Sequence, residues 1–140
     1  MFPKDTKGSY YILNVSFMAI IVAIFLYAAL YPKNKHPIPA LLTKTTGIIP
    51  PSKGLSVSFA EIIRGNISTA KKANPYSVRV FGFFILQLVL RVLISIAVWK
   101  GWLTAGKIAV ADICIAVTMF AYCFAPMIEF TLKLFAQLIH

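Results

Sequence analysis

The sequence predicts an all-α integral membrane protein with three transmembrane helices and a short amphipathic helical segment between the first two. Apolar stretches cover residues 10–31, 78–98 and 108–134, each at or above the roughly 20 residues that cross a bilayer at about 1.5 Å rise per residue. Of the 140 residues, 59% are hydrophobic and 13% charged. That length holds three spans and one compact polar connection, residues 32–77, in a single membrane domain. The net charge of +10 comes from basic residues that flank the apolar runs. Membrane lipids with anionic head groups are therefore the expected partner, and nucleic acid is not.

The first span follows Lys4 and Lys7, as a secretory signal would. Its apolar run is longer than the core of a signal peptide, and Tyr27-Ala28-Ala29 puts a bulky ring where cleavage needs a small residue, so it is expected to stay as an anchor. Tyr10, Tyr11, Tyr27 and Tyr31 bracket it as interfacial aromatics. Ser16, Ala19 and Ala23 place small residues on one face, a pattern suited to close helix packing. Pro32 ends the helix, and Pro37, Pro39, Pro50 and Pro51 predict extended or turned chain after it.

From Gly54, the residues Leu55, Phe59, Ile62, Ile63 and Ile67 recur at helical spacing against Ser56, Ser58, Glu61, Arg64 and Asn66. This predicts an amphipathic helix over 54–64 with Ser52 as its N-cap. A second helix is expected over 67–73, after the Gly65-Asn66 interruption and before the Asn74-Pro75 stop. The pair is expected along the membrane surface or folded over the spans, with a soluble-facing hairpin as the alternative. Lys53, Arg64, Lys71 and Lys72 are its candidates for membrane-surface or partner contact, and Glu61 with Arg64 three residues on reads as a surface ion pair. Gly47, Gly54 and Gly65 read as turn and helix-end positions that determine shape.

Taken in order, His36-Pro37, Thr46-Gly47-Ile48, Pro50-Pro51-Ser52-Lys53-Gly54-Leu55-Ser56, Ile63-Arg64-Gly65-Asn66, Ala70 and Asn74-Pro75 resemble the bacterial domain-of-unknown-function family 2752. Small membrane proteins of that family carry a Thr-Gly turn, then Cys-Pro-x-Cys-Gly-Leu-Thr-Arg. An amphipathic stretch ending near Arg-Gly-Asp follows, then an Ala, and Asn-Pro leading into a transmembrane helix. The resemblance extends over residues 36–75, with matching hydropathy elsewhere. Pro50 and Lys53 stand where the family has its two cysteines, and Val57 where it has the arginine. Any metal or disulfide chemistry of that pair is therefore lost here, and the resemblance implies a structural or partner-binding role.

Polar residues inside the spans are the other candidates, since a charge in hydrocarbon is costly unless paired or hydrated. These are Gln87, Arg91, Asp112 and Glu129. A connection as short as Lys100 to Lys107 makes the second and third spans antiparallel, which puts Arg91 and Asp112 at similar depth. An Arg91–Asp112 pair with Gln87 as a possible third group is the preferred arrangement. The alternative has Arg91 snorkelling to a head group and Asp112 capping the third helix. Pro126 with Glu129 hints at a break in that helix.

Cys114 and Cys123 lie nine positions apart in the third stretch, about 13 Å along a helix, too far for a disulfide, and read as apolar fillers. His36 and His140 join no cluster with metal-ligand spacing, and no cofactor motif is present. Nor is there a phosphate loop, a Ser-His-acid set or a pair of carboxylates with acid/base spacing, so an enzyme is not expected. The expected role is a non-catalytic accessory or partner-binding subunit beside other membrane proteins in a bacterial inner membrane. The alternatives are a small transporter or ion-conducting oligomer using Arg91, Gln87 and Asp112, and an anionic-lipid-binding surface module. Lys4, Lys7, Lys100 and Lys107 fall on one side. Lys33, Lys35, Lys44, Lys53, Arg64, Lys71, Lys72, Arg79 and Lys133 fall on the other, which puts the long connection in the cytoplasm by charge count.

Overall fold

The computed structural model describes residues 6–30, 47–102 and 105–139. The expectations for Tyr31, Pro32, His36, Pro37, Pro39, Thr46 and His140 lie outside these residues. Among the described residues five helices follow one another: α1 (Thr6–Leu30), α2 (Leu55–Ile63), α3 (Ile67–Ala73), α4 (Ser77–Trp99) and α5 (Ala105–Ile139). Three of them, α1, α4 and α5, are long and apolar enough to cross a membrane, over Gly8–Leu30, Ser77–Trp99 and Ile108–Gln137. The chain is an all-α, three-span integral membrane protein, with two short helices among the described residues between its first two spans.

At 35 residues, α5 rises about 52 Å, more than a bilayer with its head groups at about 40–45 Å. Helical structure continues through Pro126, where a break was expected. Proline removes only the N–H that would reach the Tyr122 carbonyl, and an otherwise apolar helix in lipid has no better place for its remaining backbone groups.

All three spans touch one another, α2 packs on α1 and α4, and α3 packs on α2 and α4. The hairpin α2–α3 is thus folded onto the end of the bundle. Its anchor is Phe59, which is buried with Ala28 of α1 and Val80 of α4. The Phe59 ring meets Phe81 edge-on at 5.2 Å and Phe84 at 5.9 Å, the arrangement favoured by the ring quadrupole.

Small residues and one amide close the hairpin. Ser58 and Ser77 both donate to the Ala70 carbonyl, at 2.9 and 3.3 Å, and all three residues are buried. Asn74 Nδ2 donates to the carbonyls of Pro51 (2.7 Å) and Lys53 (2.9 Å), while its Oδ1 accepts from the Tyr76 N–H (2.8 Å). The expected N-cap, Ser52, is replaced by Gly54, which takes φ +83° and offers no side-chain bond. A Cβ at Gly54 would lie 2.5 Å from the Ala73 carbonyl oxygen, so only glycine lets the chain cross α3 so closely.

The face of α1 used for packing also differs from expectation. Asn14, Ile21 and Ala28, spaced by seven, are buried, whereas Ser16, Ala19 and Ala23 are exposed, and Ser16 bonds back to the Ile12 carbonyl at 2.9 Å. Polar Asn14 determines which face turns inward, because an amide in hydrocarbon gains more from a partner than small residues gain from close approach.

Replacing Asn74 by Ala removes three hydrogen bonds worth about 1 kcal/mol each, and is expected to destabilise the protein by about 2–3 kcal/mol. Equilibrium unfolding in mixed micelles reads the loss, and trypsin should cut at Lys71 and Lys72 faster than in the parent.

Candidate functional site

Toward the turn that joins α4 to α5, four polar side chains from three helices meet inside the apolar bundle. Arg91 lies eight residues before Trp99 and Asp112 seven after Ala105, so in antiparallel helices both sit about 10–12 Å from the helix ends. Arg91 Nη1 forms an ion pair with Asp112 Oδ2 and donates to Asn14 Oδ1 at 2.8 Å. The Tyr10 hydroxyl donates to Asp112 Oδ2 at 2.9 Å. Arg91 and Asp112 are only 7% and 6% exposed and Asn14 1%. The guanidinium carbon lies 5.3 Å from the centroid of the Phe17 ring, a cation–π contact that covers it from α1.

Pairing, not snorkelling, is therefore the state of Arg91, and Asp112 lies too far into α5 to cap it. The third and fourth polar groups are Asn14 and Tyr10. Gln87 stays outside the network and donates to Met119 Sδ at 3.9 Å, a weak bond along the same face of α4. One turn beyond Arg91, the Ser95 hydroxyl is buried with no partner. Tyr10 is drawn inward and is not a free interfacial aromatic. Asn14 is a polar side chain in an apolar run with Tyr10 one turn earlier on the same face, but that pattern alone does not say that this face turns inward.

In chemical terms the charge pair is closed, while the Asn14 Nδ2 beside it is buried without a hydrogen-bond partner. One charge of each sign cancels, and two donors converge on a single carboxylate oxygen. A proton or ion passing here would have to displace both.

The other candidate residues are dispersed. Glu129 pairs with Lys133 at 2.6 Å on an exposed turn of α5. Glu61 does pair with Arg64, at 3.6 Å, but it is 1% exposed and not at the surface. Its second oxygen accepts from Asn66 Nδ2 at 2.9 Å, and its carbonyl from the Asn66 N–H at 2.8 Å. Glu61 therefore closes the α2–α3 turn at Gly65.

Lys53, Arg64, Lys71 and Lys72 are exposed on the hairpin, and Pro75 is exposed just before α4. Gly47 and Gly65 take φ +71° and +84°, as turn positions do. Cys114 is exposed, Cys123 is buried, and both are free thiols. Among the described residues no three His, Cys, Asp or Glu side chains are placed to hold a metal ion. No protein-family model, curated protein or solved structure matches the chain.

Arg91→Leu leaves Asp112 buried without a counter-charge, a loss of about 3–5 kcal/mol in the folded state. The double variant Arg91→Leu/Asp112→Leu should recover most of it. An unfolding cycle over the two single variants and the double is expected to show this non-additivity. Equal, additive losses would show that the pair does not act as a unit.

Proposed function

We propose that the chain is a non-catalytic accessory subunit that docks other membrane proteins in a bacterial inner membrane, with its long connection on the cytoplasmic side. The observation that carries this is the closure of the Arg91–Asp112 pair by Asn14 and Tyr10. Transport sites need ionisable groups facing a water-filled path between mobile or broken helices. Here those groups face one another. A shallow groove of about 300 Å³ along α5 is lined by Phe120, Phe124, Met127, Ile128, Thr131 and Leu132, with no charged side chain. Such a face suits lipid or a partner's helix better than a hydrophilic solute.

The resemblance to family 2752 supports the same reading. Its reactive cysteines are replaced by Pro50 and Lys53, while the positions that shape the hairpin, Gly54 and Asn74 above all, remain. A second, narrower reading is binding to anionic membrane surfaces, favoured by the exposed Lys53, Arg64, Lys71 and Lys72.

Gentle extraction of the tagged chain into nanodiscs, followed by intact-mass measurement, tests the first reading. The expected result is a stoichiometric complex with a larger membrane protein. A pure homo-oligomer whose solute or ion flux disappears in Arg91→Leu at normal expression would overturn it in favour of transport. For the second reading, the chain in zwitterionic nanodiscs should capture anionic vesicles with an affinity that falls steeply with salt.

A further inference from the structure

Each carboxylate among the described residues is engaged by a cation: Glu61 by Arg64, Asp112 by Arg91 and Glu129 by Lys133. Arg79 has no such partner. It is the third residue of α4, in the first turn of a membrane span that has no acidic residue in that turn. A cation there opposes the positive end of the helix dipole, so the helix itself supplies no compensation. The guanidinium carbon is held 5.6 Å from the ring centroid of Tyr76 and 5.3 Å from that of Tyr122 on α5. Its Nε and Nη2 atoms are shielded and have no acceptor, while Nη1 is not closed off in this way.

We infer that Arg79, clamped between Tyr76 and Tyr122, binds the phosphate of an anionic lipid head group where α4 enters the membrane. A permanently charged group, desolvated on two of its three nitrogens and fixed in place by two rings, needs an anion that the described residues do not supply. Phosphate oxygens match the guanidinium's donors, and a bilayer supplies them at the depth where a span begins.

Tyr122 points to the lipid phase as the source. Its side chain belongs to a residue that is 69% exposed on the outer side of α5, so a single ring separates the guanidinium from lipid. The head group approaches at Nη1, and the shielded N–H groups become available as that ring gives way. Exposed Lys71 and Lys72 on the preceding helix raise the local concentration of anions without forming the site. The inference rests on the membrane placement of α4 and is independent of the docking proposal. It also differs from general surface binding, because it singles out one partly shielded arginine over the exposed lysines.

The test is native mass spectrometry of the full chain in detergent, titrated separately with phosphatidylglycerol, phosphatidylcholine and inorganic phosphate. The parent is expected to retain phosphatidylglycerol in preference to the other two. Arg79→Gln should lower its retention about tenfold, as expected for loss of a charge-assisted phosphate contact. Arg79→Lys keeps the charge and guards against simple misfolding. It should still lose several-fold, since an ammonium lacks the planar, stacked fork. Lys71→Gln/Lys72→Gln should change retention by less than about twofold, as screened surface charges do. Unchanged retention in both Arg79 variants would overturn the inference. So would inorganic phosphate binding as well as the lipid, which would make the ligand a soluble anion, or the lysine pair mattering as much as Arg79.

Discussion

A cation and a carboxylate facing each other in the hydrocarbon layer constrain this molecule more tightly than any apolar contact. Lipid tails are as apolar as leucine, so burying one leucine against another hardly distinguishes one helix rotation from the next. Arg91 and Asp112 do distinguish them. Their contact sets the rotation of α4 and α5 and their relative height. The amide of Asn14 and the hydroxyl of Tyr10 then bring α1 to the same point. Three helices that share little packing preference are thereby held in one arrangement.

The opposite end of the bundle is organised by different means. There the Phe59 ring and the Ser77 hydroxyl fasten the hairpin to α1 and α4, the Ser58 hydroxyl and Asn74 amide close the hairpin itself, and among the described residues no charge pair crosses between the spans at this end. Glu61 spends its charge locally, on Arg64 and Asn66, to close the α2–α3 turn. One end is thus tied by electrostatics across helices, and the other by ring packing and backbone capture.

The spans were legible because twenty apolar residues in a row have few other uses, and the two short helices because their apolar spacing changes at Gly54 and Gly65. The Arg91–Asp112 pair could be reached from the short turn and equal depth alone. Asn14 and Tyr10 could not, since nothing local says which face of an apolar helix turns inward. The alternation of small residues at Ser16, Ala19 and Ala23 suggested the wrong face. Ser52 gave way to Gly54 for a similar reason. An N-cap can be read from neighbouring residues, but the approach of Ala73 from nineteen positions downstream cannot. Glu61 looked like a surface acid because its spacing to Arg64 is visible and its burial beneath the turn is not.

The buried pair also bears on how the chain is made. Ribosomes deliver α1 first, so the Asn14 amide is already in the bilayer when Arg91 emerges, whereas Asp112 follows 21 residues later. An arginine at mid-helix costs about 2.5–3.5 kcal/mol to release from the insertion machinery on its own. Pairing with the Asp112 carboxylate offsets part of that cost. An α4–α5 hairpin that carries the pair therefore presents less uncompensated charge to hydrocarbon than α4 does alone.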